Sequence, residues 1–170
     1  LALQDTLGNL FAGVALQLDK PYEIGDWVEI EHGHNRWIGQ VYEISWRATV
    51  LTALTEESLT VPNRIVGQAQ VSNFSTKYRP IIRSILFRIP FGAPMEKVKG
   101  ILLGAAQSIP EIRTVPLPRV LMNETTESWI GFKLVYFIDD YGLNSAIVDK
   151  IYTLVFQRLE EANIPLAAPR

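Results

Sequence analysis

The first eighteen residues, LALQDTLGNLFAGVALQL, constrain this chain more than any other stretch. At 3.6 residues per turn Leu3, Leu7, Leu10, Phe11, Val14 and Leu18 fall on one helical face, while Gly8, Ala12 and Ala15 form a narrow second face of small residues. Asp5 is the only charge. A solvated surface helix sets Lys and Glu opposite its apolar stripe. This one suits packing on both sides, against a membrane or against copies of itself, because small residues let helix backbones approach closely. An ordinary amphipathic helix of a soluble domain is the alternative. The stretch opens without an initiator Met, a polar lead-in or a basic leader, so the expectation is a chain cut from a longer one, with apolar sequence upstream.

At 170 residues and 48% hydrophobic content, with mean hydropathy +0.11, the chain holds one to two small packed domains. No internal segment reaches the roughly 18 unbroken apolar residues of a membrane span. With no cysteine, disulfide frameworks, thiolate metal sites and thiol nucleophiles are excluded. A net charge of −2 gives no electrostatic reason to expect nucleic acid as a partner.

After Leu18 the period changes. Asp19-Lys20-Pro21 stops the helix. Short strands are then expected over Trp27–Ile30, Trp37–Trp46, Arg47–Leu54, Leu59–Val61 and Gln68–Phe74, with a bend or bulge at Gly39 and one helical turn capped by Asn63. Many short strands with little helix suggest a small closed barrel of the SH3-like or Sm-like kind over residues 19–75.

Residues 76–170 read as β-α-β-β-α, a ferredoxin-like α/β layer lacking its last strand. A strand near Ile81–Phe91 precedes a helix over Pro94–Ile109. A hairpin spans Arg119–Thr125 and Ser128–Ile138, and a long helix runs from Leu143 to Asn163, which caps it. Ile164 to Leu166 are placed as a stub of the missing strand. The fold class is therefore α+β: a helix over 1–18, a β domain over 19–75 and an α/β domain over 76–170.

Candidate chemistry is sparse. His32 and His34 with Glu31 could share a metal, but a Gly- and Asn-rich loop explains them equally. Asp139 and Asp140 are adjacent, so they point apart, and a strand-to-helix turn accounts for them. Trp27, Trp37, Trp46 and Trp129 read as core and interface aromatics. Gly131 and Gly142 match no phosphate-binding pattern. No nucleophile, base and orienter assemble, so neither an enzyme, a cofactor nor a metal is expected.

Three ordered segments resemble the small-conductance mechanosensitive channel (MscS) family. Leu1-Ala2-Leu3-Gln4 through Asn9-Leu10-Phe11-Ala12-Gly13 is similar to the cytoplasmic half of its pore helix. Lys20-Pro21-Tyr22-Glu23-Ile24-Gly25-Asp26-Trp27-Val28 is similar to the start of its β domain, and Val61-Pro62-Asn63-Arg64-Ile65 through Val71-Ser72-Asn73-Phe74-Ser75 to that domain's closing signature. Pro21, Gly25, Asp26, Pro62, Asn63, Asn73 and Phe74 carry this β-domain resemblance.

The resemblance implies a subunit of a homo-oligomer, a heptamer, that opens under membrane tension to release ions and small osmolytes during hypo-osmotic stress. It implies residence in the cell (inner) membrane, with lipid at the N-terminal segment and this region mostly cytoplasmic. Leu1 takes the place of a leucine that constricts the pore, where an apolar ring blocks ions by dewetting. Gly13 matches a glycine at which the pore helix bends, and Gly8 is a second candidate hinge. Ala12 and Ala15 are expected to pack helices together. Asp5 departs from the pattern, since some relatives carry glycine at that kink. Two roles are open to it: N-cap of a helix starting at Thr6, or a cation-favouring ring in the pore. A soluble Sm-like and ferredoxin-like oligomer that binds RNA or serves as a scaffold is the alternative to the channel.

Overall fold

The structure, a computed structural model, describes residues 2–75 and 79–166. It divides into two compact units, residues 1–77 and 78–170.

The first unit opens with helix α1 (Ala2–Asp19), unbroken through Asp5, Gly8 and Gly13. It ends as its composition dictates. Lys20 turns left-handed at φ +44°, its N–H donates to the Leu16 carbonyl at 3.0 Å, and Pro21 follows. Strands β1 (Trp27–His32), β2 (Asn35–Ile44), β3 (Ala48–Thr52), β4 (Ser58–Pro62) and β5 (Gln70–Asn73) form one antiparallel sheet in the order β4-β3-β2-β1-β5. The short helix α2 (Asn63–Val66) connects the two edge strands, and no ladder joins β4 to β5 among the described residues. Tyr22, Val28, Ile30, Val41, Leu51, Val61 and Val66 make one core, so the sheet curls around a shared interior as a small barrel does.

Two local expectations shift. The 31–35 loop contracts to a two-residue turn, Gly33-His34, between the paired His32 and Asn35. Gly33 has φ +61°, at the place where a type II′ turn takes glycine. The bulge falls at Tyr42, where the β2–β3 register slips between Val41 and Glu43, and not at Gly39. Gly39 pairs regularly with Val28 and is needed for close approach, because a Cβ there would lie 2.8 Å from the Thr52 carbonyl oxygen.

The second unit comprises β6 (Ile81–Pro90), α3 (Met95–Gln107), β7 (Arg119–Thr125), β8 (Trp129–Ile138), a 3-10 turn (Tyr141–Leu143) and α4 (Asn144–Glu161). The antiparallel order β6-β8-β7 is that of a ferredoxin-like layer, with no fourth strand among the described residues. Ile147, Ile151, Val155 and Leu159 recur every fourth residue on α4 and are buried, with Val98, Leu102, Ala105 and Ala106 of α3. Ile130, Phe132, Leu134, Tyr136 and Ile138 supply the sheet's side of this core. Asn163 ends α4 in the left-handed region at φ +54°, and the Ile164 N–H returns to the Leu159 carbonyl at 2.9 Å. Ile164–Leu166 form no strand, and Ile164 is buried instead. Asp139 pairs with Arg113 at 2.9 Å, whereas Asp140 accepts from the Gly142 N–H at 2.8 Å, so the two carboxylates have separate structural duties.

Tyr136 is 1% exposed and donates its hydroxyl to Asn144 Oδ1 at 3.1 Å. Burial pushes its pKa up to about 12. A phenol raised in the folded state favours folding while it stays protonated. Stability of this unit should be full below the unfolded tyrosine value of about 10 and decline between pH 10 and 12. Denaturant midpoints across that range, with tyrosinate absorbance, check the direction.

Candidate functional site

The side of α1 that meets the sheet unit carries Gly8, Asn9, Ala12, Gly13 and Leu16, the positions that recur every three to four residues. Gly13 is the buried one of the set. A Cβ added there would fall well inside van der Waals distance of the Trp46 carbonyl oxygen and 2.7 Å from Asn63 Nδ2. A Cβ at Gly8 would meet the Arg64 side chain at 3.2 Å, and Ala12 lies beside Gly67. Leu16 reaches the sheet's core. The small residues thus let α1 lie almost backbone-to-backbone on α2 and the Ser45–Ala48 turn. Between them runs a groove of about 390 Å³ lined by Gln4, Gly8, Ala12, Arg64, Gly67 and Gln68.

Polar contacts fix the register. Arg64 donates its backbone N–H to Asn9 Oδ1 at 3.0 Å and its guanidinium to Asp5 at 2.7 Å. Asn9 Nδ2 donates to the Asp5 carbonyl at 3.0 Å, one turn back. Asp5 is therefore not the N-cap of a helix starting at Thr6: it sits in the first turn of a continuous α1, and its carboxylate is directed sideways to Arg64. Asn63 is not a cap either. It is fully buried, makes no capping bond, and donates Nδ2 to the Ser45 carbonyl at 2.9 Å, while Pro62 precedes the helix. Asn63 Oδ1 accepts from Thr49 Oγ1 at 3.2 Å, and Thr49 Oγ1 lies 2.9 Å from the Tyr22 hydroxyl. Burial pushes the Tyr22 hydroxyl above its ordinary pKa.

The remaining signature residues fasten the linker after α1 to the last strand. Asp26 Oδ2 accepts from the Glu23 N–H at 2.9 Å and from Asn73 Nδ2 at 2.8 Å, and the same amide reaches the Pro21 carbonyl at 3.3 Å. Gly25, at φ +94°, donates its N–H to the Val41 carbonyl at 2.8 Å. The Phe74 N–H donates to the Trp27 carbonyl at 2.8 Å, extending the β1–β5 ladder.

Among the expected site residues, then, Asp5, Gly8, Ala12, Gly13 and Asn63 converge on one junction, while Pro21, Gly25, Asp26, Asn73 and Phe74 form an adjoining clasp. Ala15 is exposed, off the seated face. Leu1 lies outside the described residues. Asn9, Arg64, Tyr22 and Thr49 are not among the residues the sequence marks as site residues, and Trp46 is marked there only as a core or interface aromatic. Asn9 alone carried a signal, as the one asparagine of an otherwise mostly apolar helix. The opposite side of α1 is open: Leu3, Leu7, Leu10, Phe11, Val14 and Leu18 are 39–78% exposed. No helix among the described residues is long and apolar enough to cross a membrane. The junction is a close contact between a helix and a sheet, held by hydrogen bonds and one exposed ion pair.

Residues 5–76 match the family model for the mechanosensitive ion channel β-domain, and residues 84–166 match that for the mechanosensitive ion channel MscS C-terminal region. The chain belongs to the MscS family of mechanosensitive channels. It is 30% identical over 180 residues to the small-conductance mechanosensitive channel MscMJ of Methanocaldococcus jannaschii, covering 99% of this chain and 48% of that protein. It is 28% identical over 168 residues to the mechanosensitive channel MscK of Escherichia coli, covering 97% of this chain and 14% of that protein. It thus spans about half the length of one relative and a small part of the other. The fold is that of Helicobacter pylori MscS in its closed state, with a TM-score of 0.76 at 18% identity over 99% of this chain and 65% of that one. Arabidopsis thaliana MSL1 gives a TM-score of 0.67 at 18% identity, covering 99% of this chain and 61% of that one.

The two kinds of contact at the junction should separate in a stability measurement. Gly13→Ala forces a methyl into the Trp46–Asn63 seat and should cost about 1–3 kcal/mol, exceeding its helix-propensity gain of at most about 1 kcal/mol. Asp5→Asn removes a pair whose side chains are 56% and 51% exposed. It should change stability by less than about 1 kcal/mol. Denaturant unfolding of the three proteins side by side checks the order.

Proposed function

We propose that the chain is the pore-helix end and cytoplasmic region of a channel subunit that opens under membrane tension to release ions and small osmolytes during hypo-osmotic stress. The subunit assembles as a homo-oligomer, a heptamer, in the cell (inner) membrane. One observation carries this reading: α1 has two faces with different partners. Its small face is occupied by the subunit's own β domain, whereas six large apolar side chains on the other face are left uncovered in a single chain. A stripe of that size calls for lipid or neighbouring copies. Membership of a channel family favours copies arranged around a pore, with lipid along the N-terminal segment.

In that arrangement Leu1 constricts the pore and the ring of leucines holds it dry when closed. Ala15, exposed beside Phe11 and Leu18, gives a neighbouring helix room to approach. Asp5 and Gly8 are the places where α1 bends as the pore changes width, and Gly13, seated on the sheet, is where the bending arm ends. Tension favours the wider state because that state occupies more membrane area, a shift between two populations.

Suction applied to a lipid patch holding the full-length protein should evoke current. Silence of that patch, beside an active patch of MscMJ, overturns the channel reading. In a second measurement, Leu10→Asp should lower the mass of the detergent-solubilised oligomer while leaving the β-domain fold intact, since Leu10 is 39% exposed and lies on the uncovered side. An undiminished oligomer shows that the stripe does not join copies.

A further inference from the structure

Apart from tyrosines, Thr49 and Asn63 are the buried polar residues among the described ones, and they are adjacent links of one hydrogen-bond chain. A threonine hydroxyl has a single proton. Thr49 gives that proton to Asn63 Oδ1 at 3.2 Å, so Tyr22 must be the donor across the 2.9 Å contact to Thr49. The chain has one polarity, from Tyr22 through Thr49 and Asn63 to the Ser45 carbonyl.

Its two ends bear on the same helix. Tyr22 is the third residue after the end of α1, and Asn63 touches α1 at Gly13. The covalent path from Gly13 to Tyr22 and the polar path from Tyr22 back to Asn63 close a loop, and Leu16 fills the core between them. N-terminal to Gly13 the ties are different in kind. They include the exposed Asp5–Arg64 pair and the exposed hydrogen bond from the Arg64 N–H to Asn9. Buried polar groups in an otherwise apolar core contribute little net stability, but in a fully satisfied network they specify one geometry.

We propose that Tyr22, Thr49 and Asn63 form a lock that makes residues 13–22 one rigid body with the β sheet, leaving the arm N-terminal to Gly13 as the part of α1 that moves. While the lock is closed Gly13 is a fixed seat, and bending falls to the Asp5–Ala12 stretch, where Gly8 is the one glycine. The lock rests on contacts within one chain and does not require that the protein conduct.

Hydrogen exchange of the full-length protein in lipid nanodiscs tests it. Thr49→Val keeps the side chain's shape and removes both of its hydrogen bonds. It should speed exchange of amides 14–20 roughly tenfold, while amides of β1–β3 and of residues 5–12 stay within about twofold of wild type. Tyr22→Phe should act in the same direction on the same segment, and it decides the matter alone if Thr49→Val does not fold. Arg64→Ala should do the converse, loosening residues 5–12 and sparing 14–20. The lock is overturned if Thr49→Val or Tyr22→Phe leaves 14–20 unchanged or loosens helix and strands equally, or if Arg64→Ala loosens 14–20 as much as 5–12.

Discussion

The placement of α1 depends on a missing methyl group. Because Gly13 has no Cβ, the helix backbone can rest against the Trp46 carbonyl and the Asn63 amide. Any other residue there would push the helix off the sheet and break the contacts on either side of it. The seat is narrow, and only Leu16 enters the core from this helix. Its specificity therefore comes from close approach and hydrogen bonds, not from buried apolar area. That is the character of a joint holding a defined angle, and it leaves the large side chains of α1 for another surface.

The β-domain signature has a physical reading in the same terms. Asp26 is a hub for the Glu23 N–H and the Asn73 amide, so it joins the beginning of the domain to its last strand. Gly25 takes a left-handed conformation that lets its N–H bond to β2. Asn73 reaches the Pro21 carbonyl as well. The linker after α1 is consequently bonded to the sheet at several points along its few residues. A displacement of the helix end must be felt by the strands.

What was legible in the sequence was whatever repeats. The spacing of Ile147, Ile151, Val155 and Leu159 defined α4, the alternation from Ile130 to Ile138 defined β8, and Asn163 marked where a helix stops. The ordered motifs around Gly13, Gly25 and Asn63 carried the family. What was hidden was direction and distance. Asp5 meets Arg64 across 59 residues, and no local pattern says that its carboxylate leaves the helix sideways. Asn63 looked like a helix cap because asparagine favours that place; the polar interior beneath it captured the side chain instead. Gly39 looked like a bulge because glycine often marks one. The close approach of β3 explains the glycine, and the bulge lies three residues on, at Tyr42.

The uncovered flank of α1 also bears on how such a protein is made. Phe11 is 69% exposed and Leu18 78% in a lone copy, on a helix already anchored to a folded domain. A newly synthesised copy cannot hide that flank by refolding. While uncovered it is a ready target for clumping and for chaperones that bind greasy surfaces. Whatever surface covers the flank must therefore reach it soon after synthesis.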